Sequence, residues 1–175
     1  MKKIALIVLL FAFYWQANGQ REEVSLQNRH EVKLDPAHLI GSVIRIDYEY
    51  LLNDWSSAGL SVHYNFSSSD RPVDEPIFRV MVLGFYRLYF GRQPVSGFFL
   101  EGNLGIISGA DDRVWPMPYR PENYTAFGAG IALGWKWYIP RSGIVLDIFA
   151  GGGRLFNNDR VGGFPRVGIA VGKRF

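Results

Sequence analysis

Apolar and polar residues alternate in segment after segment of this 175-residue chain, and the alternation predicts an all-β fold. The alternating segments number eight, and the connections between them are by turns short and long. Beyond the N-terminal segment, no window repeats with the 3.6-residue period of a long helix. We therefore predict an eight-stranded antiparallel up-and-down β-barrel.

The N-terminal segment has the features of a secretory signal peptide. Two lysines precede an uninterrupted apolar run over residues 4–15, and small residues then suit cleavage before Gln20. The run is too short to span a bilayer. We predict a signal peptide over 1–19 and one barrel domain over 20–175, with a retained membrane anchor as the alternative.

Composition excludes several kinds of function. Removal of the signal peptide leaves 17 basic residues against 16 acidic ones, so the predicted domain is close to neutral and no nucleic-acid partner is indicated. The chain contains no cysteine, which excludes a disulfide scaffold, thiol catalysis and thiolate metal sites.

The first three predicted strands alternate most clearly. They cover residues 30–35, 42–51 and 58–66, and Asn53 with the residue after it marks a tight turn between the second and third. The apolar positions of the second strand are Ile44, Ile46, Tyr48 and Tyr50.

The remaining predicted strands cover 78–90, 98–106, 125–138, 144–150 and 164–175. The fourth is less clean, because apolar residues such as Met81 share a face with Arg79 and Arg87. The closing strand ends the chain on Phe175, which is typical of outer-membrane barrels.

Three observations predict that the apolar face points outward and that the barrel is transmembrane. Several segments are long enough to cross a bilayer as tilted strands, and the charged face is rich in small residues that leave room for long side chains. Aromatic residues also gather at the strand ends, as in the belts at membrane interfaces. One predicted belt contains Tyr50, Trp55, Tyr86, Phe90, Trp135, Trp137 and Phe175. The other contains Tyr64, Phe66, Phe78, Tyr124, Phe127 and Phe164. A soluble lipocalin-like barrel, with the apolar face inward, is the alternative.

The charged face would then fill the lumen with nearly balanced charges, as a narrow interior of low dielectric requires. The predicted lumen cations are Lys33, Arg45, Arg79, Arg87, Lys136, Arg166 and Arg174. The predicted lumen acids are Glu31, Asp35, Asp47, Glu49, Glu101 and Asp147. We expect this network to be structural. The alternative is a gated pore in which Glu101 exchanges between Lys136 and Arg87.

Several segments resemble a family of small outer-membrane barrels of unknown function, and the architecture is more loosely similar to OmpA-type and OmpX-type barrels. The segments are Glu31-Val32-Lys33-Leu34, Ile46-Asp47-Tyr48-Glu49-Tyr50, residues 85–91, residues 97–102, residues 128–136 and the closing strand. The resemblance covers nearly all of the predicted domain. It implies insertion by the barrel-assembly machinery of a Gram-negative bacterium and implies no catalytic residues.

Candidate catalytic and metal-binding residues are few. Ser61 and His63 share a strand face, and outer-membrane barrel hydrolases that act on lipids use Ser and His with an acid, but this spacing arises easily by chance. His30 and His38 have no matching ligand cluster, so we predict neither a metal site nor a cofactor. We expect a non-enzymatic protein of the outer membrane, surrounded by lipid, whose outer loops meet an unidentified partner. The expected function is structural or interactive. A small gated pore, a periplasmic ligand-binding barrel and a lipid-active hydrolase are the competing hypotheses.

Overall fold

The computed structural model describes residues 28–66, 77–111, 122–157 and 162–175. The predicted signal peptide over 1–19 lies outside the described residues, as do most of the long loops predicted near residues 71 and 115. The strands are β1 His30–Leu34, β2 Val43–Asn53, β3 Ser56–Asn65, β4 Ile77–Tyr89, β5 Gly97–Asp111, β6 Glu122–Ile139, β7 Ile144–Leu155, β8 Gly163–Pro165 and β9 Gly168–Arg174. One short helix, α1, covers Pro36–Ile40.

The strands form a closed antiparallel barrel. Each strand from β1 to β7 pairs with the next one in the chain. β8 and β9 both pair with β7 and together form the eighth strand of the wall. β9 also pairs with β1, where Glu31 lies opposite Arg174, and this pairing closes the ring. The prediction of an all-β, eight-stranded antiparallel barrel is confirmed.

The two ends of the barrel differ in their connections. At the turn rim, short turns over 54–55, 90–96 and 140–143 join the strands. At the opposite end, which we call the loop rim, lie α1 and the connections between β3 and β4, β5 and β6, and β7 and β8.

The short helix was not predicted, although a local signal for it is present. The carboxylate of Asp35 accepts hydrogen bonds from the backbone N–H groups of Ala37 (3.0 Å) and His38 (3.2 Å), which is the usual N-cap arrangement. Pro36 follows at the first helical position, where its missing N–H costs nothing. None of the helices in the described part of the chain is long and apolar enough to cross a membrane.

The alternation along the strands separates two chemically different faces. Charged side chains such as Glu49 and Arg87 face the interior and are buried. Large apolar side chains such as Ile46, Leu133 and Ile169 face outward and are exposed. The surface of this barrel is therefore more apolar than its centre.

Arg79 is a correction to the predicted lumen. Its side chain is exposed, because the pairing of β4 with β5 shifts register between Phe78 and Val80. A one-residue irregularity of this kind reverses the face on which the next side chain lies. Phe78 packs against the interior instead.

The interior holds an apolar cluster toward each end. Toward the loop rim, the cluster consists of Met81, Leu83, Ile107, Ala126, Leu155 and Phe164, with Phe78 and Tyr124 packed against it. Toward the turn rim, a second cluster consists of Leu51, Tyr89, Val95, Phe99, Ala132 and Phe149.

The aromatic residues at the two rims divide differently from the predicted belts. At the turn rim, Trp135, Trp137, Phe90 and Phe175 are exposed on the outer face. At the loop rim, Tyr64, Phe66 and Phe127 are exposed, whereas Phe78, Tyr124 and Phe164 belong to the interior. The placement of these last three in the outer belt was wrong.

Candidate functional site: an ionic cluster inside the barrel

Twelve charged side chains are buried in the described part of the barrel, and we call them the ionic cluster. They are Glu31, Lys33, Asp35, Arg45, Asp47, Glu49, Arg87, Glu101, Lys136, Asp147, Arg166 and Arg174. Six are basic and six are acidic, so the cluster is formally neutral. Neutrality matters because an unpaired charge in a medium of low dielectric costs several kcal/mol.

Two lysines and two glutamates form a group of contacts in the half of the cluster toward the turn rim. Lys136 Nζ lies 2.7 Å from an oxygen of Glu31 and 2.7 Å from an oxygen of Glu49. Lys33 Nζ contacts Glu49 and also lies 2.7 Å from Asp147 Oδ2 and 3.2 Å from Glu31 Oε2. Each ammonium therefore lies between at least two carboxylates.

Arg87 connects this group to the rest of the cluster. Its guanidinium donates from Nε to Glu101 (2.8 Å) and from Nη1 to Asp147 (2.7 Å) and Glu49 (3.0 Å). The same guanidinium lies over the ring of Phe99, 4.4 Å from its centroid. Carboxylates thus surround its edge while an aromatic ring covers a face, a combination suited to a fully buried guanidinium.

Two further arginines complete the cluster toward the loop rim. Arg45 contacts Asp47 and lies 3.2 Å from Asp35 Oδ2. Arg166 Nε lies 2.8 Å from Glu101 Oε1. Glu101 joins Arg166 to Arg87, and Ser61 Oγ joins Arg166 to Arg45 and Asp47, so the contacts form one continuous network through the barrel.

Aromatic rings support the arginines, a role that was not predicted from the sequence. Phe149 lies beneath two guanidinium groups, 4.4 Å from Arg45 and 4.8 Å from Arg166. Phe85 lies 4.6 Å from the guanidinium of Arg87. The sequence contained a signal for this role, because Phe85 and Arg87 are two residues apart and therefore lie on the same face of their strand.

Small residues on the charged face make room for these rings as well as for charged chains. Gly134 is one such position, where a Cβ atom would collide with the ring of Phe99, the Cβ of Phe149 and the carbonyl oxygen of Ile148. The predicted reason for the small residues, space for long charged side chains, was therefore incomplete.

The structure brings every predicted lumen acid and cation into the cluster except Arg79, which lies outside. Of the two pairs predicted for a gate, Glu101 with Arg87 is observed and Glu101 with Lys136 is not. Glu101 contacts Arg87 and Arg166, whereas Lys136 contacts Glu31 and Glu49.

Ser61 and His63 meet inside the barrel, but not as a catalytic triad. Ser61 Oγ lies 2.9 Å from His63 Nε2, and the hydroxyl donates a hydrogen bond to Asp47. In a triad the acid would orient the histidine instead. Here His63 Nδ1 has no hydrogen-bond partner among the described residues, and both side chains are buried away from any substrate.

Within the described ranges, no group of three or more His, Cys, Asp or Glu side chains is arranged to hold a metal ion. Each carboxylate of the cluster already binds at least one ammonium or guanidinium group. The arrangement is suited to holding strands together rather than to reacting with a ligand.

No protein-family model, curated protein or solved structure matches this chain.

Proposed function

We propose that this chain is an outer-membrane β-barrel whose ionic cluster fills and rigidifies its lumen, with a structural or interaction role and no catalytic activity. One observation carries the proposal. The barrel is inverted relative to a water-soluble one, because its charges are buried and its outer face is apolar. A soluble barrel with this surface would expose a far larger apolar area than monomers tolerate.

The distribution of charge on the outer face supports a membrane boundary at each end. Arg79 and Arg154 are exposed toward the loop rim, and Arg141 and Lys173 are exposed toward the turn rim. Between them, the outward positions of the described strands carry no charged side chain. Long basic side chains beside an apolar band suit the interface between lipid and water.

The height of the apolar band suits a bilayer. Residues 98–106 of β5 alternate between exposed apolar or glycine positions and buried or half-buried ones. At ~3.4 Å per residue and a tilt of ~40°, such a segment rises about 23 Å along the barrel axis. Transmembrane barrels present an apolar band about 25 Å tall.

A structural role is favoured over the gated pore, because the interior is packed. An apolar cluster lies on each side of the ionic cluster, and an eight-stranded barrel has a lumen that side chains alone can fill. We therefore expect no conductance above that of a bare planar bilayer. Stepwise currents that disappear in Glu101→Ala would establish the pore and overturn the structural role.

A ligand-binding barrel and a lipid-active hydrolase have less support than the pore. A periplasmic barrel of the lipocalin type needs an apolar cavity inside, and here the centre is ionic. A hydrolase needs an accessible nucleophile, and Ser61 is buried. Unchanged cellular lipid profiles after deletion of the gene would rule out the hydrolase hypothesis.

Cell fractionation combined with gel migration tests the proposal. We expect the protein in the outer-membrane fraction of a Gram-negative cell, and a shift in its migration when the sample is boiled. Depletion of the barrel-assembly machinery should abolish the shift. Recovery as a soluble periplasmic protein would overturn the proposal. The predicted partner of the longer loops concerns residues that lie mostly outside the described ranges, and pull-down with loop-deleted variants tests it separately.

A further inference from the structure

The barrel wall has an opening beside α1. β1 ends at Leu34, which pairs with Val171, so on the β1 side residues 167–169 face α1 instead of a strand, while Gly168 and Ile169 pair with β7 on the other side. Two side chains bind the backbone there. Asp35 Oδ2 accepts a hydrogen bond from the N–H of Ile169 (3.0 Å), and Arg45 Nη1 donates to the carbonyl of Val167 (3.4 Å). The wall can therefore remain open without leaving these backbone groups unpaired.

A cavity of about 460 Å³ occupies this opening, and we call it the lateral slot. Its outer walls include Ile148, Val167 and Ile169, which face outward, and the side of α1. Its floor includes Val43 and Phe149, which are buried and face the interior. The slot thus leads from the outer apolar face into the wall of the barrel.

We propose that the lateral slot binds one acyl chain of a membrane lipid, which enters sideways from the bilayer. The inference rests on the proposed membrane location, since only there would acyl chains surround the mouth of the slot.

The chemistry of the slot favours an acyl chain. Ile148, Val167 and Ile169 belong to the apolar band, so the mouth is continuous with the surface that lipid would cover. The apolar side chains of Leu39 and Ile40 on α1 are also exposed, 49% and 91% respectively. Among the described residues that line the slot, His38 alone has a polar side chain, so an aqueous ligand would meet few polar groups here. The volume lies within the ~300–1,000 Å³ that is typical of small-molecule sites.

The floor separates the slot from the ionic cluster. The guanidinium of Arg45 lies 4.4 Å from the centroid of the Phe149 ring. The ring of Phe149 lines the slot, so a bound acyl chain would contact this aromatic ring rather than the charged guanidinium of Arg45. Gly168 keeps this arrangement possible, because a Cβ atom at that position would collide with Arg45, Asp35 and the same ring. The slot is therefore formed before any ligand enters.

Electron paramagnetic resonance with a spin-labelled lipid tests the proposal. The protein is folded into vesicles of dioleoylphosphatidylcholine that contain phosphatidylcholine labelled near the methyl end of one chain. We compare the wild type with Ala37→Trp, which fills the slot from α1, and with Gly102→Trp. Gly102 lies on the outer face of β5, where an added Cβ would have no neighbour within 4 Å.

The expected result is a motionally restricted, saturable signal of about one label per protein, beyond the ordinary lipid shell. It should be lost in Ala37→Trp and retained in Gly102→Trp. Gly41→Trp fills the slot from the other end of α1 and should also lose it, which protects the test if one variant fails to fold. If the wild type and all variants insert and give the same motionally restricted signal, the lipid-binding slot is refuted while the proposed membrane location stands. Failure of the wild type to insert, judged by heat-modifiable migration, would overturn both proposals.

Discussion

Replacement of Arg87 by glutamine should destabilise the barrel far more than the same change at Arg79 on the same strand. Arg87 is fully buried and binds Glu49, Glu101 and Asp147, whereas Arg79 is exposed. The two positions therefore compare one side chain in two environments, with an identical change in net charge.

The structure sets the size of the effect. Removal of one partner from a buried ionic contact costs about 3–5 kcal/mol. This cost should not be multiplied by three, because each acid keeps another cation. Glu49 keeps Lys33 and Lys136, Asp147 keeps Lys33, and Glu101 keeps Arg166. We therefore expect a loss of about 3–5 kcal/mol in the free energy of unfolding for Arg87→Gln. For Arg79→Gln we expect a change within about 0.5 kcal/mol, as for other surface substitutions.

Urea unfolding in phosphatidylcholine vesicles, followed by tryptophan fluorescence, measures both values. With a slope of about 2 kcal/mol per molar, the Arg87→Gln midpoint should fall by about 1.5–2.5 M. Adding Glu101→Gln to Arg87→Gln restores neutrality and should recover about 1 kcal/mol or more, because the two groups are directly coupled. Equal midpoints for the two single variants would refute the reasoning.

Three further predictions address other parts of the molecule. Ile131→Arg places a charge in the middle of the apolar band and should make folding into vesicles less favourable by about 2–4 kcal/mol. The folded fraction on unboiled gels measures this change, and an unchanged fraction would argue against a lipid-facing surface. Gly134→Val crowds the ring of Phe99 and should lower the free energy of unfolding by about 1–3 kcal/mol, whereas Gly102→Val, pointing into open space, should cost much less; urea unfolding compares the two. Ser61→Ala removes a buried hydroxyl that binds a carboxylate and should lower the free energy of unfolding in urea by about 1–3 kcal/mol. Cellular lipid profiles should stay unchanged, and altered profiles would support the hydrolase hypothesis.

Strand parity alone identified most of the ionic cluster, for a simple physical reason. In a barrel, all residues of one parity on a strand share one environment, so a single charged residue such as Asp47 or Glu101 fixes the inward face of its whole strand. What parity cannot provide is the partner of each charge, because register between strands is set by contacts that the local pattern does not encode.

The errors arose where the regular strand stops. The irregularity near Arg79 shows in the sequence only as a less clean alternation of the fourth strand, which does not reveal where the faces reverse. α1 is too short to show a helical period, although Asp35 followed by proline is a recognisable start signal. Phe164 was assigned to the outer belt because it lies near a strand end, yet its parity with Arg166 already indicated the interior.

The neutrality of the ionic cluster depends on the two ends of the barrel domain. Arg174 binds Glu31 across a sequence separation of 143 residues, and Arg166 lies in the same closing segment. A sheet that had assembled without this segment would hold four basic and six acidic side chains on its inner face. Burial of that face in an apolar medium would be strongly unfavourable, because two acidic side chains would lack a balancing cation. Pairing of the final strand therefore closes the ring and neutralises its interior in a single step. We expect folding to be all-or-none, because a barrel that lacks this strand keeps an unbalanced interior charge.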